Sequence, residues 1–430
     1  MEALVALCKR LGIIFPGSEI YGGLAGTWDY GPIGTLLKKN LKDQWWNYNV
    51  QLRDNVVAVD AAIMMNPKAW EASGHTEAFT DPLVECKHCH IRFRSDKTED
   101  IKAHELTHKD KTASWTEPVN FNLLVKAYLG IVEGKQSEIY LRGEITNGFH
   151  VNFKNVVNTT RVRIPFGIAQ IGKAFRNEIT PGNFIFRSRE FEQMELQFYI
   201  QPTPEEGKKW FAYWKKESMD WYVSLGMSKE NLRFRDHEAT ERAHYAIDAT
   251  DIEFKAPWGW QEMMGIHNRG DWDLTRHQKY SGQALTYRDT ETNQEYTPWD
   301  IETSAGVDRS LLFFLLDAYR KDEKREWLQL NPKLAPYKAA VFPLVANKPA
   351  LVAKADEIYH NLRKSIMVSW DDRGNIGKRY AAQDEVGTPF CITVDYTTLE
   401  DQTVTVRERD SMEQKRVPVS ELSNFLLKVL

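Results

Sequence analysis

The segment IGKAFRNEITPGNFIFRSREFEQMELQF at 171–198 constrains the fold more than any other part of the chain. Its two flanks have the alternating character of strands, and TPGN between them has the composition of a turn. Same-face residues on a strand are two apart, so the pattern predicts that Arg176 shares a face with Glu178, and Arg187 with Arg189. The sequence therefore predicts an antiparallel hairpin that carries fixed arginines and carboxylates.

Such a hairpin suits a ligand with an anionic part and a cationic end. Guanidinium groups bind phosphate through paired hydrogen bonds, and carboxylates accept from an ammonium group. The same pattern also fits a solvated hairpin with surface ion pairs. Arg309 favours the ligand, because it starts an otherwise apolar helix at 306–320 and must face a cavity or a partner. Neither GxxxxGK[ST] nor GxGxxG occurs, so a nucleotide would need another binding architecture.

Length and composition describe an ordinary globular chain. The 430 residues predict two or three domains. A hydrophobic share of 42% excludes a disordered or fibrous chain, and a net charge of -4 excludes a histone-like protein. The four cysteines (Cys8, Cys86, Cys89 and Cys391) are too few for a disulfide framework, which predicts reduced thiols and a cytoplasmic location. The apolar runs at the N-terminus are too short for a membrane helix.

The composition and pattern of the sequence change twice along the chain. Residues 81–117 are polar and rich in histidine, which predicts a small insertion in a first domain at 1–330. The charged stretch 321–327 and the prolines after it predict a linker. From there strands and helices alternate, which predicts a separate α/β domain at 331–430.

The insertion carries a pattern typical of a structural metal site. Cys86 and Cys89 form CKHC, and His104 and His108 form HELTH. This set at this interval fits tetrahedral zinc, and a metal would supply folding energy that the polar insertion lacks. Other histidines of the insertion are competing ligands, and two buried thiols with solvent-facing histidines are the alternative. Four protein ligands would leave no open position for catalysis.

Several motifs in chain order carry a family resemblance. The segment around Arg176 resembles motif 2 of the class II aminoacyl-tRNA synthetases, and GVDR at 306–309 resembles their motif 3. FPGSEIYGGLAGTWDYGPIG, RGEI with VNFKNV at 142–156, FRNEITPGNF and REFEQME closely resemble glycyl-tRNA synthetases of the homodimeric kind. The final domain resembles the anticodon-binding domain of the glycyl, threonyl, prolyl and histidyl enzymes. The resemblance runs nearly end to end.

The resemblance implies an α+β fold, with an antiparallel class II catalytic sheet flanked by helices and a C-terminal α/β anticodon-binding domain. It implies a ligase that binds ATP in a bent form with magnesium, makes glycyl-adenylate and transfers glycine to the 3′ end of tRNA(Gly). The helix TLLKKNLKDQWW and the strand toward Pro67 resemble motif 1, which implies a homodimer. No membrane partner is expected.

Matched motif by motif, the resemblance also implies roles for residues around ATP. Arg176 would grip the α-phosphate and Arg309 the γ-phosphate, which makes these two the expected catalytic residues, and Phe191 would stack on the base. Attack of a carboxylate on phosphate needs charge neutralisation and positioning more than a general base. The implied ATP-binding set is Arg176, Asn177, Glu178, Phe186, Arg187, Ser188, Arg189, Glu190, Phe191, Glu262, Met263, Gly306, Val307, Asp308 and Arg309.

The family surrounds the glycine ammonium group with carboxylates, and Glu144, Glu195 and Glu302 match them here. RGEITNG and ETSAG differ at single positions from the family forms, nearer to RxETAQG and EPSAG, yet both keep the glutamate. A tight charged pocket would exclude alanine by overlap, so no editing domain is needed. The implied glycine-binding set is Arg94, Glu144, Phe191, Glu192, Gln193, Met194, Glu195, Arg269, Glu302, Thr303, Ser304, Ala305 and Gly306.

Two other functions remain open from the sequence. A synthetase-like protein that binds nucleic acid without catalysis is expected to lose the phosphate-binding arginines, whereas Arg176 and Arg309 are present. A threonyl or prolyl enzyme would share the last domain. The threonyl site would need metal ligands in the catalytic core, and no Cys/His set of suitable spacing occurs in 170–310. The balanced charge predicts that tRNA binds through local basic patches and weakens with salt.

Overall fold

The computed structural model describes residues 1–108, 114–132, 134, 136–238, 240–242 and 246–429. Residues 109–113 of the predicted insertion and residue 430 of the predicted last domain therefore lie outside the described residues. The helices are α1 (Glu2–Arg10), α2 (Pro32–Trp46), α3 (Pro67–Ala72), α4 (His75–Ala78), α5 (Thr98–Glu105), α6 (Thr146–Thr159), α7 (Pro204–Ser224), α8 (Trp272–Ser281), α9 (Val307–Ala318), α10 (Pro349–Leu362), α11 (Ile376–Val386), α12 (Tyr396–Asp401) and α13 (Leu422–Val429).

The strands are β1 (Ile14–Pro16), β2 (Trp28–Tyr30), β3 (Val56–Ala58), β4 (Thr80–Glu85), β5 (Arg92–Arg94), β6 (Val119–Asn122), β7 (Val125–Leu129), β8 (Ser137–Leu141), β9 (Phe166–Phe175), β10 (Glu190–Ile200), β11 (Leu232–Asp236), β12 (Asp248–Ala256), β13 (Gly259–Gly270), β14 (Tyr287–Arg288), β15 (Glu295–Tyr296), β16 (Trp299–Gly306), β17 (Tyr319–Lys321), β18 (Glu326–Leu328), β19 (Ala339–Pro343), β20 (Val368–Trp370), β21 (Phe390–Val394), β22 (Thr403–Glu408) and β23 (Gln414–Pro418).

A seven-stranded sheet in the order β11-β12-β13-β16-β10-β9-β3 forms the centre of the larger unit. Its neighbours run antiparallel except β3, which lies parallel to β9 at the edge. Side chains alternate between the two faces of a strand. On β10, Met194, Leu196 and Phe198 are fully buried in the main hydrophobic cluster, so the polar residues between them face the other side. This side of the middle strands is the floor of the candidate site.

Two helices cover the apolar face of the sheet. α9 is buried through Leu312 and Phe313, and it packs on α2 and on the middle strands. α7 buries Trp214 and Trp221 in the same cluster, so these two side chains belong to the core. The helix predicted at 306–320 is confirmed as α9, and Gly226 follows α7 with a positive φ of 93°, a conformation that favours glycine.

The C-terminal unit has a sheet of its own in the order β20-β19-β21-β22-β23. β19 pairs parallel to β20 and β21, while the β21–β22 and β22–β23 pairs are antiparallel. Its core is a separate cluster that includes Val341, Leu351, Ile392 and Leu426. The predicted alternation of strands and helices is confirmed, and the whole chain is α+β as predicted.

Two local predictions are wrong. The charged stretch 321–327 is not an extended linker, because β17 and β18 pair as a hairpin across it. Arg325 in that hairpin lies 3.0 Å from the buried Asp384 carboxylate of the C-terminal unit, so the segment joins the two units by packing. The residues between 175 and 190 form a loop and not the ends of a regular hairpin, so Arg187 and Arg189 do not share a strand face.

The insertion forms the three-stranded sheet β5-β4-β6 and the helix α5. Asp81 and Arg94 of this sheet pair at 2.8 Å and reach the candidate site. α5 ends at Glu105, so His108 lies beyond the helix and not one helical turn along it. Within the described residues, none of the helices combines the length and the apolar character that a membrane crossing needs.

Candidate active site

A cleft of about 460 Å³ opens over the middle strands of the seven-stranded sheet. Cations and carboxylates face each other across it, so the cleft can bind small ligands that carry anionic and cationic groups. The charged residues that line it are Asp81, Arg94, Glu144, Arg176, Glu178, Arg187, Glu195, Glu262, Arg269, Glu302, Asp308 and Arg309.

One end of the cleft is a wall of buried carboxylates. The antiparallel register of β10 and β16 sets Glu195 opposite Ser304. Glu302 lies two residues from Ser304 on β16, and therefore on the same face of the sheet. The Ser304 hydroxyl donates to Glu195 at 2.8 Å, and Gln193 donates to Ser304 at 3.3 Å. Glu144 enters the wall from the turn before α6. The strands therefore fix Glu195 and Glu302, while the segment between β8 and α6 carries Glu144.

Arginine and histidine side chains beside the wall decide which carboxylates are charged. Burial raises the pKa of Glu302, but Arg269 at 3.0 Å and His267 at 2.8 Å outweigh it and lower that pKa. Burial is likewise outweighed at Glu144, where His75 at 3.1 Å, Arg269 and Arg176 hold the pKa at about 2. Both carboxylates are therefore ionised near neutral pH.

Glu195 behaves differently from its neighbours. Burial, followed by the charges of Glu302 and Glu144, raises the pKa of Glu195 to about 8. Three ionised carboxylates side by side would repel one another, so one of them keeps its proton until a cation arrives. An ammonium group that entered the cleft would supply such a cation.

The other end of the cleft carries arginines. The Arg176 guanidinium lies between the rings of Phe79 at 5.1 Å and Phe191 at 5.3 Å, and its Nε donates to the Gly143 carbonyl at 3.0 Å. Its Nη2 is 3.9 Å from a Glu144 oxygen, so Arg176 lies at the boundary between the two ends. These contacts fix the guanidinium plane while one edge faces the cleft.

Arg309 enters from the first turn of α9. Its guanidinium lies 4.4 Å from the ring centroid of Phe186 and donates to the Glu262 carbonyl at 3.0 Å. Arg187 lines the cleft beside Glu178, with Nε 3.9 Å from its carboxylate. Burial is the main cause that raises the pKa of Glu178, against the charges of Arg187 and Arg176.

Most of the predicted site residues meet in this cleft, although they are far apart along the chain. The predicted residues that line it are Arg94, Glu144, Arg176, Glu178, Phe186, Arg187, Ser188, Phe191, Gln193, Glu195, Glu262, Met263, Arg269, Glu302, Ser304, Gly306, Asp308 and Arg309.

The other predicted residues do not line the cleft. Glu192 pairs with Lys38 at 2.9 Å behind the sheet, because strand alternation turns it away from Gln193. Arg189 donates to the Glu178 and Ala25 carbonyls. The full group outside the lining is Asn177, Arg189, Glu190, Glu192, Met194, Thr303, Ala305 and Val307.

The structure adds residues that sequence reasoning missed. His267 and Gly265 line the cleft on the same face of β13 as Arg269, and the two-residue spacing in GIHNRGD was the signal for both. Thr146, Phe79 and Asp81 also line it. Their positions depend on how the insertion and α6 fold against the sheet, so no local pattern pointed to them.

The four predicted metal ligands form a second cluster, in the insertion. The Cys86 sulfur lies 3.6 Å from His108 Nε2, the Cys89 sulfur 3.2 Å from His104 Nε2, and the two histidine nitrogens 3.0 Å apart. Tetrahedral zinc with bonds of about 2.0–2.3 Å sets its ligand atoms about 3.3–3.8 Å apart. All four donor atoms lie within 4.8 Å of one another, so the set fits this ion.

Comparison with known proteins places this geometry in a family. Residues 129–318 match the model of the tRNA synthetase class II core domain (G, H, P, S and T), and residues 338–429 match that of the anticodon binding domain. The chain is 49% identical to the glycine–tRNA ligase of Alkaliphilus oremlandii over 99% of this chain and 97% of the relative. It is 50% identical to that of Geobacillus kaustophilus, over 99% and 98%. The chain belongs to the glycine–tRNA ligase family.

Membership of the glycine–tRNA ligase family confirms the family predicted from the motifs, and with it the class II fold. The glycine–tRNA ligase of Borreliella burgdorferi is also 49% identical, over 99% of this chain and 96% of the relative. The cleft lies on strands that fall within the matched class II core, apart from the insertion residues that border it. The carboxylate end and the arginine end of the cleft are therefore built on the fold that this ligase family shares.

Proposed function

We propose that the protein activates glycine with ATP to glycyl-adenylate and transfers the glycyl group to tRNA(Gly). The observation that carries this proposal is the position of Arg176. It lies 3.9 Å from the carboxylate wall and at the start of the arginine end. An amino acid bound by its ammonium group at Glu144 would then present its carboxylate beside a guanidinium that can also hold a phosphate.

The carboxylate wall would select glycine by charge and by lack of space. The ammonium group binds among Glu144, Glu195 and Glu302, of which the central strands carry the last two. A methyl group on the α-carbon of a larger amino acid would overlap the wall, and Glu195 and Ser304 are held at 2.8 Å and cannot separate freely. Exclusion by overlap needs no separate editing step.

The arginine end would hold ATP. The base would stack on Phe191, as the resemblance implies; the Phe191 ring lies 5.3 Å from the Arg176 guanidinium, and Phe186 lies beside Arg309. The carboxylate oxygen of glycine attacks the α-phosphorus, the bond to the β-phosphate oxygen breaks, and pyrophosphate leaves. Arg176 and Arg309 neutralise the charge that develops on the phosphates.

Magnesium would accompany ATP as a ligand of its phosphates. Magnesium prefers oxygen donors and keeps much of its water, so one or two carboxylates at an open position suffice. Glu262 is exposed at the rim of the cleft and Glu178 lies within it, so their carboxylates fit this role. The ion would supply further neutralisation of the phosphate charge.

In the second step a ribose hydroxyl of the terminal adenosine of tRNA attacks the glycyl carbonyl carbon, and AMP leaves. The C-terminal unit matches an anticodon binding domain, which supports its assignment to the far end of the tRNA. We assign 1–330 to the catalytic domain, including the insertion at 81–117, and 331–430 to the anticodon-binding domain. The two separate sheets and the second hydrophobic cluster within 339–426 support this division, while Leu334 and Val386 pack in the first cluster.

The decisive experiment is amino-acid-dependent ATP–pyrophosphate exchange with the purified protein and each of the twenty amino acids. Exchange with glycine alone is expected, followed by glycylation of tRNA(Gly). The variant Arg176→Ala should abolish exchange while the protein stays folded. No exchange with any amino acid, in folded protein supplied with magnesium and zinc, would refute the proposal and favour a binding protein without catalysis.

We also assign a structural zinc ion to Cys86, Cys89, His104 and His108. The spacing of their donor atoms supports a tetrahedral site in which every position is taken by the protein. The insertion offers little apolar material, since α5 has no buried residue, so the ion would supply folding energy. It would order β4 and β5, which carry Asp81 and Arg94 to the cleft.

A homodimer and a cytoplasmic location complete the proposal. Trp46 and Leu52, at and after the end of α2, are 40% and 70% exposed, which supports a subunit contact along the predicted motif 1 segment. All four cysteines are free thiols, which suits a reducing compartment. Sedimentation equilibrium should give twice the chain mass of 49.9 kDa.

A further inference from the structure

Gln197 is a buried residue that the reaction as described does not use. It lies on β10 two residues beyond Glu195, and the strand register sets it directly opposite Glu302. Its side chain is fully buried, and it does not line the cleft. Gln197 therefore lies on the same face of the sheet as Glu195, two residues further along β10 and outside the lining of the cleft.

Its amide nitrogen makes two hydrogen bonds to that wall. The Nε2 group donates to Glu195 Oε1 at 2.8 Å and to Glu302 Oε2 at 2.8 Å. One NH2 group thus uses both of its hydrogens on two neighbouring carboxylates. Two carboxylates at this proximity repel each other strongly in a buried site, so a donor shared between them fixes their separation.

Within the part of the chain that the structure describes, the orientation of the Gln197 amide leaves its own carbonyl oxygen without a hydrogen bond. This loss shows that the bonds made by the nitrogen determine the orientation. Among the described residues, the Gln197 carbonyl oxygen has no hydrogen-bond partner, although it is buried. A flipped amide would aim this oxygen at two carboxylates and lose both hydrogen bonds. The carboxylates therefore determine the orientation, and the amide is matched to them.

We propose that Gln197 is a positioning residue for glycine, which holds Glu195 and Glu302 at the separation that accepts one ammonium group. This inference rests on the proposed function. Gln197 touches neither substrate and acts through the two carboxylates. Its loss should therefore weaken glycine binding and leave the arginine end unchanged.

Other groups also contact these two carboxylates and limit how far the loss of Gln197 can change them. Arg269 also donates to Glu302, and its guanidinium donates to the Asp273 carboxylate through Nε at 2.7 Å and Nη2 at 3.0 Å. Without the amide, Glu302 keeps this cation while Glu195 keeps only hydroxyl donors. The titratable groups that interact with the pair from the surrounding elements include Arg142, Glu144, His150, Tyr199, His267, Arg269 and Asp300, and Thr146 and Ser304 add hydroxyl groups.

The test replaces Gln197 by methionine, which keeps the unbranched length of the side chain and removes both donors. Gln170 offers a matched control: it lies opposite Glu195 on β9, it is fully buried, and within the described residues neither of its amide atoms has a partner. Glycine and ATP dependence of pyrophosphate exchange would be measured for wild type, Gln197→Met and Gln170→Met, together with thermal unfolding.

Gln197→Met should raise the KM for glycine at least about tenfold, because hydrogen bonds to charged groups are lost, and should leave the KM for ATP unchanged. Gln170→Met should leave both constants unchanged. Loss of a donor to an ionised carboxylate raises its pKa, so the rise of kcat/KM for glycine with pH should move to higher pH only in Gln197→Met. A structural role alone would not move this profile.

The remaining outcomes overturn the proposal. Equal glycine KM values for the two variants, or a matching rise in the KM for ATP, would show that Gln197 does not act through the glycine site. If Gln197→Met does not fold, Gln197→Leu takes its place; if neither folds, Gln197 is a structural residue and the proposal fails. Absence of exchange in the wild type would instead refute the proposed function.

Discussion

The Lys38 ammonium group lies 2.6 Å from the Asp308 carboxylate, although the two residues are 270 positions apart. Both side chains are buried, at 9% and 7% exposed, and Lys38 also contacts Glu192 at 2.9 Å. Asp308 accepts further hydrogen bonds from the Tyr30 hydroxyl and the Glu192 amide. This network joins α2 to the first turn of α9, where the next residue is Arg309.

Lys38→Met should therefore destabilise the protein and weaken ATP binding. Removing one partner leaves the other charge buried, and the expected loss is about 3 kcal/mol, near the low end because Asp308 keeps two donors. Urea unfolding and the KM for ATP measure the two effects. Lys39→Met on the same helix removes an exposed pair with Asp43 and should cost less than about 0.5 kcal/mol. Equal losses for the two variants would contradict this account.

Arg309→Lys should lower kcat/KM for ATP about 100-fold without unfolding the protein. Lysine keeps the positive charge but loses the planar group that lies over Phe186 and donates to Glu262. Arg320, just after the same helix, bonds carbonyl groups at the surface, so Arg320→Lys is the matched control. Steady-state exchange kinetics distinguish the two. Similar activity of both variants would show that charge alone suffices at position 309.

The pKa of Glu195, raised to about 8, gives a pH dependence for glycine. Below that pH the carboxyl is neutral, and binding of an ammonium group must first release its proton. The value of kcat/KM for glycine should therefore rise with pH up to about 8 and then level off. In Glu195→Gln the side chain no longer titrates, so this rise should flatten while kcat/KM falls. A rise of the same shape in the variant would assign the titration to another group.

Cys89→Ser should release the proposed zinc. Purified wild type should contain about one zinc per chain by elemental analysis, and the variant much less, because one thiolate ligand is lost. The insertion should then become sensitive to protease. His90→Asn is the control, since His90 bonds Glu85 outside the ligand set and has a positive φ that asparagine tolerates. Wild-type protein without zinc, or with zinc that survives Cys89→Ser, would refute the site.

Sequence reasoning predicted those features that depend on local periodicity. Alternation placed Glu195 on a strand, and the apolar run after Arg309 predicted α9 with its arginine facing a cavity. The same alternation, applied strictly, would have turned Glu192 and Thr303 away from the cleft, as the structure does. Here the family motif assigned a whole run of residues, whereas only every second side chain of a strand reaches one face.

Long-range packing was out of reach of the sequence. The pairing of Gln197 with Glu302 depends on the register of two strands separated by about a hundred residues, and no local pattern encodes it. The hairpin at 319–328 was predicted as a linker because its charges resemble solvent-exposed sequence. They are instead bound by partners such as Asp384, which lie far along the chain.

The floor of the proposed glycine pocket is made of the middle strands of the seven-stranded sheet, with neighbours hydrogen-bonded on both sides. Backbone amides in such positions exchange with solvent only when the sheet opens as a whole. If the proposed glycine pocket is correct, amino-acid selectivity depends on strands whose exchange requires opening of the whole sheet. A change of specificity by evolution or design would have to alter the folding core, whereas enzymes that select substrates with surface loops can change without that cost.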